Sequence, residues 1–202
     1  MINRELYMEQ ITPFIDKPFV KVITGIRRCG KSVVLRLIRE ELLRRGVSED
    51  HIIYMNFESF EWMDVKEAKA LYTYIREVTK VSGKYYILLD EIQEVTDWEK
   101  AVNAFLVDLD ADIYVTGSNS RLLSSEFSTY LAGRYVAFHI MTLSFREYLL
   151  FHNVPLAISA SDRKAEFLKY LRMGGFPAIH TANYDYNAIY KIVYDIYSSV
   201  IL

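Results

Sequence analysis

Residues 25 to 32 read Gly25-Ile26-Arg27-Arg28-Cys29-Gly30-Lys31-Ser32, which fits the pattern G-x-x-x-x-G-K-[ST] at every fixed position. In such a loop the backbone N–H groups converge on an anion, and glycines at the two ends let the chain bend around it without a Cβ in the way. Lys31 would reach the β- and γ-phosphates of a nucleotide, and Ser32 would supply a hydroxyl ligand for Mg²⁺. The predicted phosphate-binding residues are Gly25, Ile26, Arg27, Arg28, Cys29, Gly30, Lys31, Ser32 and Val33.

The sequence on both sides of this loop has the pattern of a strand and a helix. A β-branched run at residues 19–24 precedes the loop, and Val34, Leu35, Ile38 and Leu42 follow it at the spacing of one helix face. A helix that starts at the end of the loop aims its positive end at the same phosphates. The context therefore favours a phosphate-binding loop over the alternative, a glycine turn with an incidental lysine.

A second informative stretch is the apolar run Tyr85–Leu89, which ends in Asp90 and Glu91. Such a run is typical of a strand covered on both faces, and ligands of α/β sheets bind at the carboxyl ends of the strands. Asp90 would hold Mg²⁺ directly or through water, and Glu91 would act as general base toward the attacking water. The alternative is that two adjacent acids merely start a loop or cap a helix.

Small polar residues follow the next predicted strand, residues 113–116. Gly117, Ser118 and Asn119 come directly after it and would lie at the same edge of the sheet. Ser118 or Asn119 is therefore a candidate to sense the γ-phosphate or to orient the water. The alternative for either residue is an ordinary turn after a strand.

Arginines supply further candidates. Arg134 stands immediately before a fifth predicted strand, residues 135–140, and would neutralise charge on the transferring phosphoryl group, in cis or from a neighbouring subunit. A structural salt bridge is the alternative. A helix is predicted over residues 3–12, and its Arg4 or Tyr7 would contact adenine; the alternative is a helix that only packs against the rest of the protein. Arg172 is a further candidate phosphate sensor.

Composition narrows the class of protein. The 202 residues are 51% hydrophobic, which is enough to cover a sizeable core. The chain has 24 Lys and Arg against 26 Asp and Glu, a net charge of −2. The overall charge therefore does not indicate a surface that binds nucleic acid or a membrane. The single cysteine fits a reducing compartment, and no apolar run approaches the length of a membrane span. We therefore expect a cytoplasmic protein without a membrane partner.

The last sixty residues read as helical. Ser144 and Glu147 fit the capping box S-x-x-E, a helix is predicted from about residue 161 to 173, and residues 174–177 break the chain before a terminal helix. That helix runs to Leu202 without a cap or polar tail, which suggests a piece of a longer protein. We expect an ATPase core over residues 1–142, and a helical lid or the start of a truncated C-terminal domain over residues 143–202.

With the loop and the two acids in hand, the chain resembles the additional-strand P-loop ATPases, the AAA+ and related class. More narrowly it is similar to the AAA_14 group of prokaryotic ATPases, in which the ATPase domain is followed by a DUF4143 region. The stretches that carry the resemblance occur in family order: Gly25–Ser32, Leu89–Gln93, Thr116–Ser118, Leu131–Arg134, Leu143–Glu147 and Gly174–Pro177.

The resemblance implies an α/β three-layer sandwich with a parallel five-stranded sheet of order 5-1-4-3-2, and a further C-terminal region, while the helical pattern of the last sixty residues suggests the C-terminal helical lid. It also implies ATP and Mg²⁺ as ligands, Glu91 as catalytic acid, Ser118 in the sensor position and Arg134 as finger. The sequence departs from the group at Cys29, where an aliphatic residue is expected, and at Asn119, often a small hydroxyl residue, which leaves the sensor open. A thiol at Cys29 would be redox-sensitive beside phosphate-binding amides, the alternative being a small buried filler.

Three functions follow from these patterns. The first is an ATP hydrolase that drives a conformational switch, with Lys31, Glu91, Ser118, Asn119 and Arg134 as catalytic residues and Asp90 and Ser32 on the metal. The second is a nucleotide-gated interaction or DNA-binding module with negligible turnover. The third, a small-molecule kinase, is disfavoured because a water-activating Glu91 suits hydrolysis. ATP is preferred to GTP because no Asn-Lys-x-Asp motif occurs, and a homo-oligomer or a DNA or protein partner of the missing C-terminal region stays open.

Overall fold

The computed structural model describes residues 4–117, 130–181 and 185–201. Ser118 and Asn119, predicted above as sensor residues, lie outside the described residues. The strands are β1 (Val20–Thr24), β2 (Ile52–Asn56), β3 (Tyr85–Asp90), β4 (Ala111–Gly117) and β5 (Tyr135–His139). The helices are α1 (Glu5–Ile11), α2 (Lys31–Arg44), α3 (Ala68–Val78), α4 (Trp98–Asp108), α5 (Phe145–Phe151), α6 (Ala160–Met173) and α7 (Tyr186–Ile201).

The five strands form one parallel sheet of order β2-β3-β4-β1-β5, which is the predicted order read from the other edge. The predicted fold class, an α/β fold of the P-loop NTPase type, is thereby confirmed. In the strand register Thr24 pairs with Gly117 and with His139, and Asn56 pairs with Asp90. The carboxyl ends of all five strands therefore meet at one edge of the sheet, the edge at which α/β proteins bind ligands.

The hydrophobic core lies on both faces of this sheet. On one face, Leu71 and Ile75 of α3 and Trp98 and Phe105 of α4 pack against alternate residues of β1 to β4. Helix α2 contacts β3 and β4, and helix α1 contacts β5. Because the central strands are covered on both sides, β3 is buried along its whole length, which explains its continuous apolar sequence.

The chain divides into two compact units. One comprises residues 5–25 and 31–139 and contains the whole sheet; we call it the sheet unit. The other comprises the described residues among 1–4, 26–30 and 140–202, and we call it the helical unit. The boundary predicted at residue 142, and the idea of a lid, stay predictions.

Within the helical unit, the capping box predicted at α5 is present. The Ser144 hydroxyl accepts the Glu147 N–H, and a Glu147 carboxylate oxygen accepts the Ser144 N–H at 2.8 Å. This exchange satisfies two backbone donors at the start of α5. In the part of the chain that the structure describes, no helix has both the length and the apolar composition needed to cross a bilayer.

Two predicted boundaries differ from the structure. Helix α3 ends at Val78 and not near Gly83, because Gly83 belongs to a separate turn with φ of 136°, where an added Cβ would lie 2.7 Å from the His51 ring. Strand β4 begins at Ala111, two residues earlier than the predicted strand, and so includes Asp112. Asp112 can be buried in the sheet because Lys21 of β1 forms an ion pair with its carboxylate. The two residues are far apart in the sequence, so the hydrophobic periodicity of either strand could not predict this ion pair.

Candidate functional site

The loop lysine and the second acid meet at the carboxyl edge of the sheet. Lys31 is the first residue of α2, and Glu91 directly follows β3. The Lys31 Nζ lies 3.2 Å from Glu91 Oε1, and the two side chains are only 3% and 13% exposed. The lysine of the first stretch and the second acid of the other, sixty residues apart in the chain, therefore meet at one place in the sheet unit.

Asp90, the last residue of β3, is completely buried and receives two hydroxyl donors. Tyr54 of β2 donates to Asp90 Oδ2 at 3.0 Å, and Thr116 of β4 donates to Oδ1. Burial, and then the Asp90 charge, raise the pKa of Tyr54 well above its usual range. Tyr54 therefore stays neutral and keeps its proton for this hydrogen bond.

Thr116 also holds the backbone of the second acid. Its hydroxyl oxygen accepts the Glu91 N–H at 2.9 Å while its proton goes to Asp90. One buried hydroxyl thus connects the two acids and sets their relative position. The sequence analysis missed the roles of Tyr54 and Thr116; the available signal was that both are polar groups near the carboxyl ends of the two strands that flank β3.

Glu91 has a backbone conformation that non-glycine residues rarely adopt. Its φ and ψ are 54° and 50°, in the left-handed region, and it begins the 3₁₀ turn Ile92–Glu94. Such a conformation costs on the order of 1–3 kcal/mol and persists where surrounding contacts enforce it. Those contacts include the Thr116 hydroxyl and the Gln93 amide, which donates to Glu91 Oε2 at 2.6 Å. The side chain is therefore held with one oxygen on Gln93 and the other facing Lys31.

The middle of the phosphate-binding loop, residues 26–30, lies in the helical unit. The Cys29 N–H donates to the Ile26 carbonyl at 3.3 Å, and both Arg28 (φ 65°) and Gly30 (φ 105°) have positive φ. The φ of Gly30 disfavours any residue with a side chain, and an added Cβ would also crowd the Arg4 guanidinium at 3.2 Å. Cys29 is completely buried, in line with the small-filler alternative.

The other predicted residues are spread over the chain. Ser32 is the second residue of α2, beside Lys31, and Arg172 is exposed in the last turn of α6. Arg4 and Tyr7 are buried, 3% and 6% exposed, and the Arg4 guanidinium donates to protein acceptors. Arg4 therefore fits the packing alternative and not an adenine contact.

The finger role predicted for Arg134 stays a prediction, and the position of the residue in the sheet argues against its cis form. Arg134 precedes β5 and its carbonyl accepts the Val20 N–H, which places it at the amino edge of the sheet, whereas Thr24 and Lys31 lie at the carboxyl edge. Its exposed side chain donates to Asn103 of α4 at 2.8 Å. A five-residue strand spans roughly 13 Å or more, so this position favours a finger role toward a neighbouring subunit.

The residues at the carboxyl edge suit the chemistry of a magnesium nucleotide. Mg²⁺ prefers hard oxygen ligands and is usually bound by one or two carboxylates together with substrate phosphates. Asp90 supplies a carboxylate whose two hydroxyl donors leave lone pairs for a metal or its water, and Ser32 supplies a hydroxyl. The donor set therefore fits the group that the sequence predicted.

Comparison with known proteins shows the family and the fold of the chain. The AAA_14 family model, described as an AAA domain, matches residues 17–149. An uncharacterized protein of Haemophilus influenzae is 45% identical over 184 residues, which cover 91% of this chain and 46% of that protein. The uncharacterized protein MJ1544 of Methanocaldococcus jannaschii is 35% identical over 184 residues, covering 89% of this chain and 39% of that protein. The chain thus spans less than half the length of these curated relatives.

Two solved structures share the fold. The Aeropyrum pernix ORC1 protein, solved in complex with DNA, has a TM-score of 0.55 at 14% identity and covers 97% of this chain and 66% of its own. AMPPCP-bound DnaA from Aquifex aeolicus has a TM-score of 0.55 at 15% identity and covers 94% of this chain and 60% of its own. At these identities the likeness concerns the fold alone.

Proposed function

Because the chain belongs to the AAA_14 family of AAA domains, we propose that it binds ATP with Mg²⁺ and hydrolyses it at the carboxyl edge of the sheet. The observation that carries this proposal is the 3.2 Å approach of Lys31 Nζ to Glu91 Oε1. A phosphate-binding lysine and a carboxylate able to activate water are then close enough to act on the same γ-phosphate.

In this proposal the loop and α2 bind the triphosphate. The backbone N–H groups of residues 25–32 and the N-terminus of α2 provide donors and a positive dipole for the phosphates. Lys31 moves from Glu91 to the β- and γ-phosphates, whose higher charge competes for its ammonium group. Asp90 and Ser32 would hold Mg²⁺, which would supply positive charge to neutralise the phosphates.

Glu91 acts as the general base for hydrolysis. Its carboxylate takes a proton from a water molecule, whose oxygen forms a bond to the γ-phosphorus. The bond between that phosphorus and the β,γ-bridging oxygen breaks, and the electron pair leaves on ADP. The left-handed backbone of Glu91 and its bond to Gln93 keep the carboxylate oriented for this step.

Glu91→Gln tests the proposal. The amide keeps the size of the side chain but is not a base, so we expect Mg-ATP binding to persist while phosphate release is abolished. Glu94→Gln, three residues along the same turn and exposed, is the matched control because it removes the same charge. Lys31→Ala should lose the stabilisation of about 2.7 kcal/mol that a ligand gives at 100 times its Kd. Unchanged release by Glu91→Gln, or an unchanged thermal shift in Lys31→Ala, would reject this site.

We also propose how the chain functions within a longer protein. Residues 1–142 would form the ATPase core, and residues 143–202 a helical lid or the beginning of a C-terminal domain that includes a DUF4143 region. Loss of the γ-phosphate would change the binding of a DNA or protein partner, with Arg134 acting as a finger toward a neighbouring subunit of a homo-oligomer. The ORC1 relative in fold was solved with DNA, which makes DNA the first partner to test.

The alternative, a module that binds nucleotide and turns over negligibly, separates cleanly from hydrolysis. Radiolabelled ATP turnover by this chain and by a full-length relative, with and without DNA, distinguishes the two. An absence of phosphate release in every condition, with tight ATP binding, would favour the interaction module. If Arg134 acts as an arginine finger, Arg134→Ala should lower kcat about 10³-fold or more while nucleotide binding is preserved.

A further inference from the structure

A buried arginine holds the centre of the phosphate-binding loop. The Arg4 guanidinium donates through Nη1 to the Cys29 carbonyl at 3.0 Å, through Nη2 to the Met141 carbonyl at 2.9 Å and through Nε to Glu147 Oε1 at 2.5 Å. Arg4 is only 3% exposed, and all of these groups belong to the helical unit. Each of its three nitrogens therefore has a different partner, an arrangement that a planar guanidinium makes possible.

The acid that anchors Arg4 is itself fixed. Glu147 uses Oε1 for Arg4 and Oε2 for the backbone N–H and hydroxyl of Ser144, the capping box of α5. Because α5 starts at this point, the position of Glu147 is set by the helix and not by a flexible surface rotamer. The geometry passes from the helix cap to Arg4 and from Arg4 to the loop.

The contact to the Cys29 carbonyl determines how one loop amide is presented. The Cys29–Gly30 peptide is trans and planar, so its carbonyl and the Gly30 N–H point in opposite directions. A carbonyl held by Arg4 on one side therefore directs the Gly30 N–H away from Arg4. Gly30 leaves the space for this approach, since an added Cβ would lie 3.2 Å from Nη1.

We propose that Arg4 is a positioning residue for phosphate binding, which fixes the Cys29–Gly30 peptide so that the Gly30 N–H is presented to the triphosphate. The inference rests on the proposed ATP-binding function and adds a residue that the loop motif does not contain. Without Arg4 the peptide is free to rotate and its carbonyl to face the anion, which removes one charge-assisted hydrogen bond and adds repulsion. Arg4 acts through the loop and does not touch the nucleotide.

Arg4→Lys is the central variant, because it keeps the charge while one nitrogen cannot reach three separated acceptors. The Kd for Mg-ATP is measured by calorimetry. The temperature is chosen from thermal unfolding curves recorded without nucleotide, so that every variant is folded during the measurement. We expect the Kd to rise roughly tenfold to a hundredfold, the range for one lost hydrogen bond to a charged group. Glu147→Gln keeps an acceptor for the Ser144 cap but loses the charge facing Arg4, so it should raise the Kd in the same direction.

The control is Tyr114→Phe in the sheet unit. It removes a buried hydroxyl that donates to Asp112 at 2.8 Å, so it lowers the thermal midpoint without touching the loop. A Kd that follows the midpoint equally in Tyr114→Phe and Arg4→Lys would show general destabilisation and reject the positioning role. So would an unchanged Kd in folded Arg4→Lys or, if that variant is unfolded, in Glu147→Gln.

Wild type and Lys31→Ala are measured in parallel to separate this inference from the function on which it rests. If the wild type binds ATP and Lys31→Ala does not, the nucleotide site stands whatever the Arg4 result. If wild type and Lys31→Ala bind ATP equally, or neither binds, the site itself is rejected and the role of Arg4 with it.

Discussion

Thr116→Val tests whether one hydroxyl holds the two acids of the site together. Thr116 donates to the buried Asp90 carboxylate and accepts the Glu91 N–H at 2.9 Å. Valine has nearly the same shape, so the change removes both hydrogen bonds without opening a cavity. Losing a hydrogen bond to a charged group costs about 1.5–3 kcal/mol and leaving the N–H unsatisfied costs about 1–3 kcal/mol, which together give roughly 2.5–6 kcal/mol of lost stability.

Urea unfolding measures this loss directly. With a slope of about 2–3 kcal/mol per molar, the midpoint should fall by about 1–3 M. Thr24→Val is the matched control, because Thr24 is equally buried at the end of β1 and its hydroxyl makes a 3.2 Å contact with His139. That variant should lose only about 0.5–1.5 kcal/mol, the range for one neutral hydrogen bond. Equal midpoints for the two variants would refute the idea that Thr116 links the acids.

Two further predictions concern stability away from the loop. Lys21→Met should lower the free energy of unfolding by about 3–5 kcal/mol, because it leaves the buried Asp112 without its cation. In urea unfolding, Lys21→Met/Asp112→Asn should recover part of that loss. A double variant no more stable than the single one would contradict this. Burial lowers the pKa of both His152 and His180, whose rings are 3.0 Å apart at Nε2 and Nδ1. The unfolded chain then binds protons more readily, so stability should fall as the pH drops below about 6.5, and His152→Gln should weaken that dependence between about pH 7.5 and about pH 5.5; an unchanged slope would argue against the pair.

Local patterns in the sequence predicted much of this fold. The β-branched runs, the one-faced apolar helices and the S-x-x-E cap of α5 each depend on residues a few positions apart, and the structure has a strand or helix at each of them. The order of the sheet came from family resemblance and is confirmed. The roles assigned to Lys31, Asp90, Glu91 and Arg134 stay predictions, although the first three meet at one edge as expected.

Contacts between distant residues were beyond those patterns. Arg4 and Glu147 are 143 positions apart, and Tyr54 and Asp90 are 36 apart. The sequence likewise placed Arg134 before β5 but gave no indication that its side chain donates to Asn103, 31 positions away.

The sequence by itself determined that the chain carries the motif G-x-x-x-x-G-K-[ST] and a strand ending in acids, because a motif and an apolar run are properties of neighbouring residues. Only the tertiary structure decided that Lys31 faces Glu91, that Tyr54 and Thr116 donate to Asp90, and that Arg4 donates to the Cys29 carbonyl. These contacts depend on how parallel strands align and on how a buried charge finds its partners, and burial in three dimensions is not written in any local pattern.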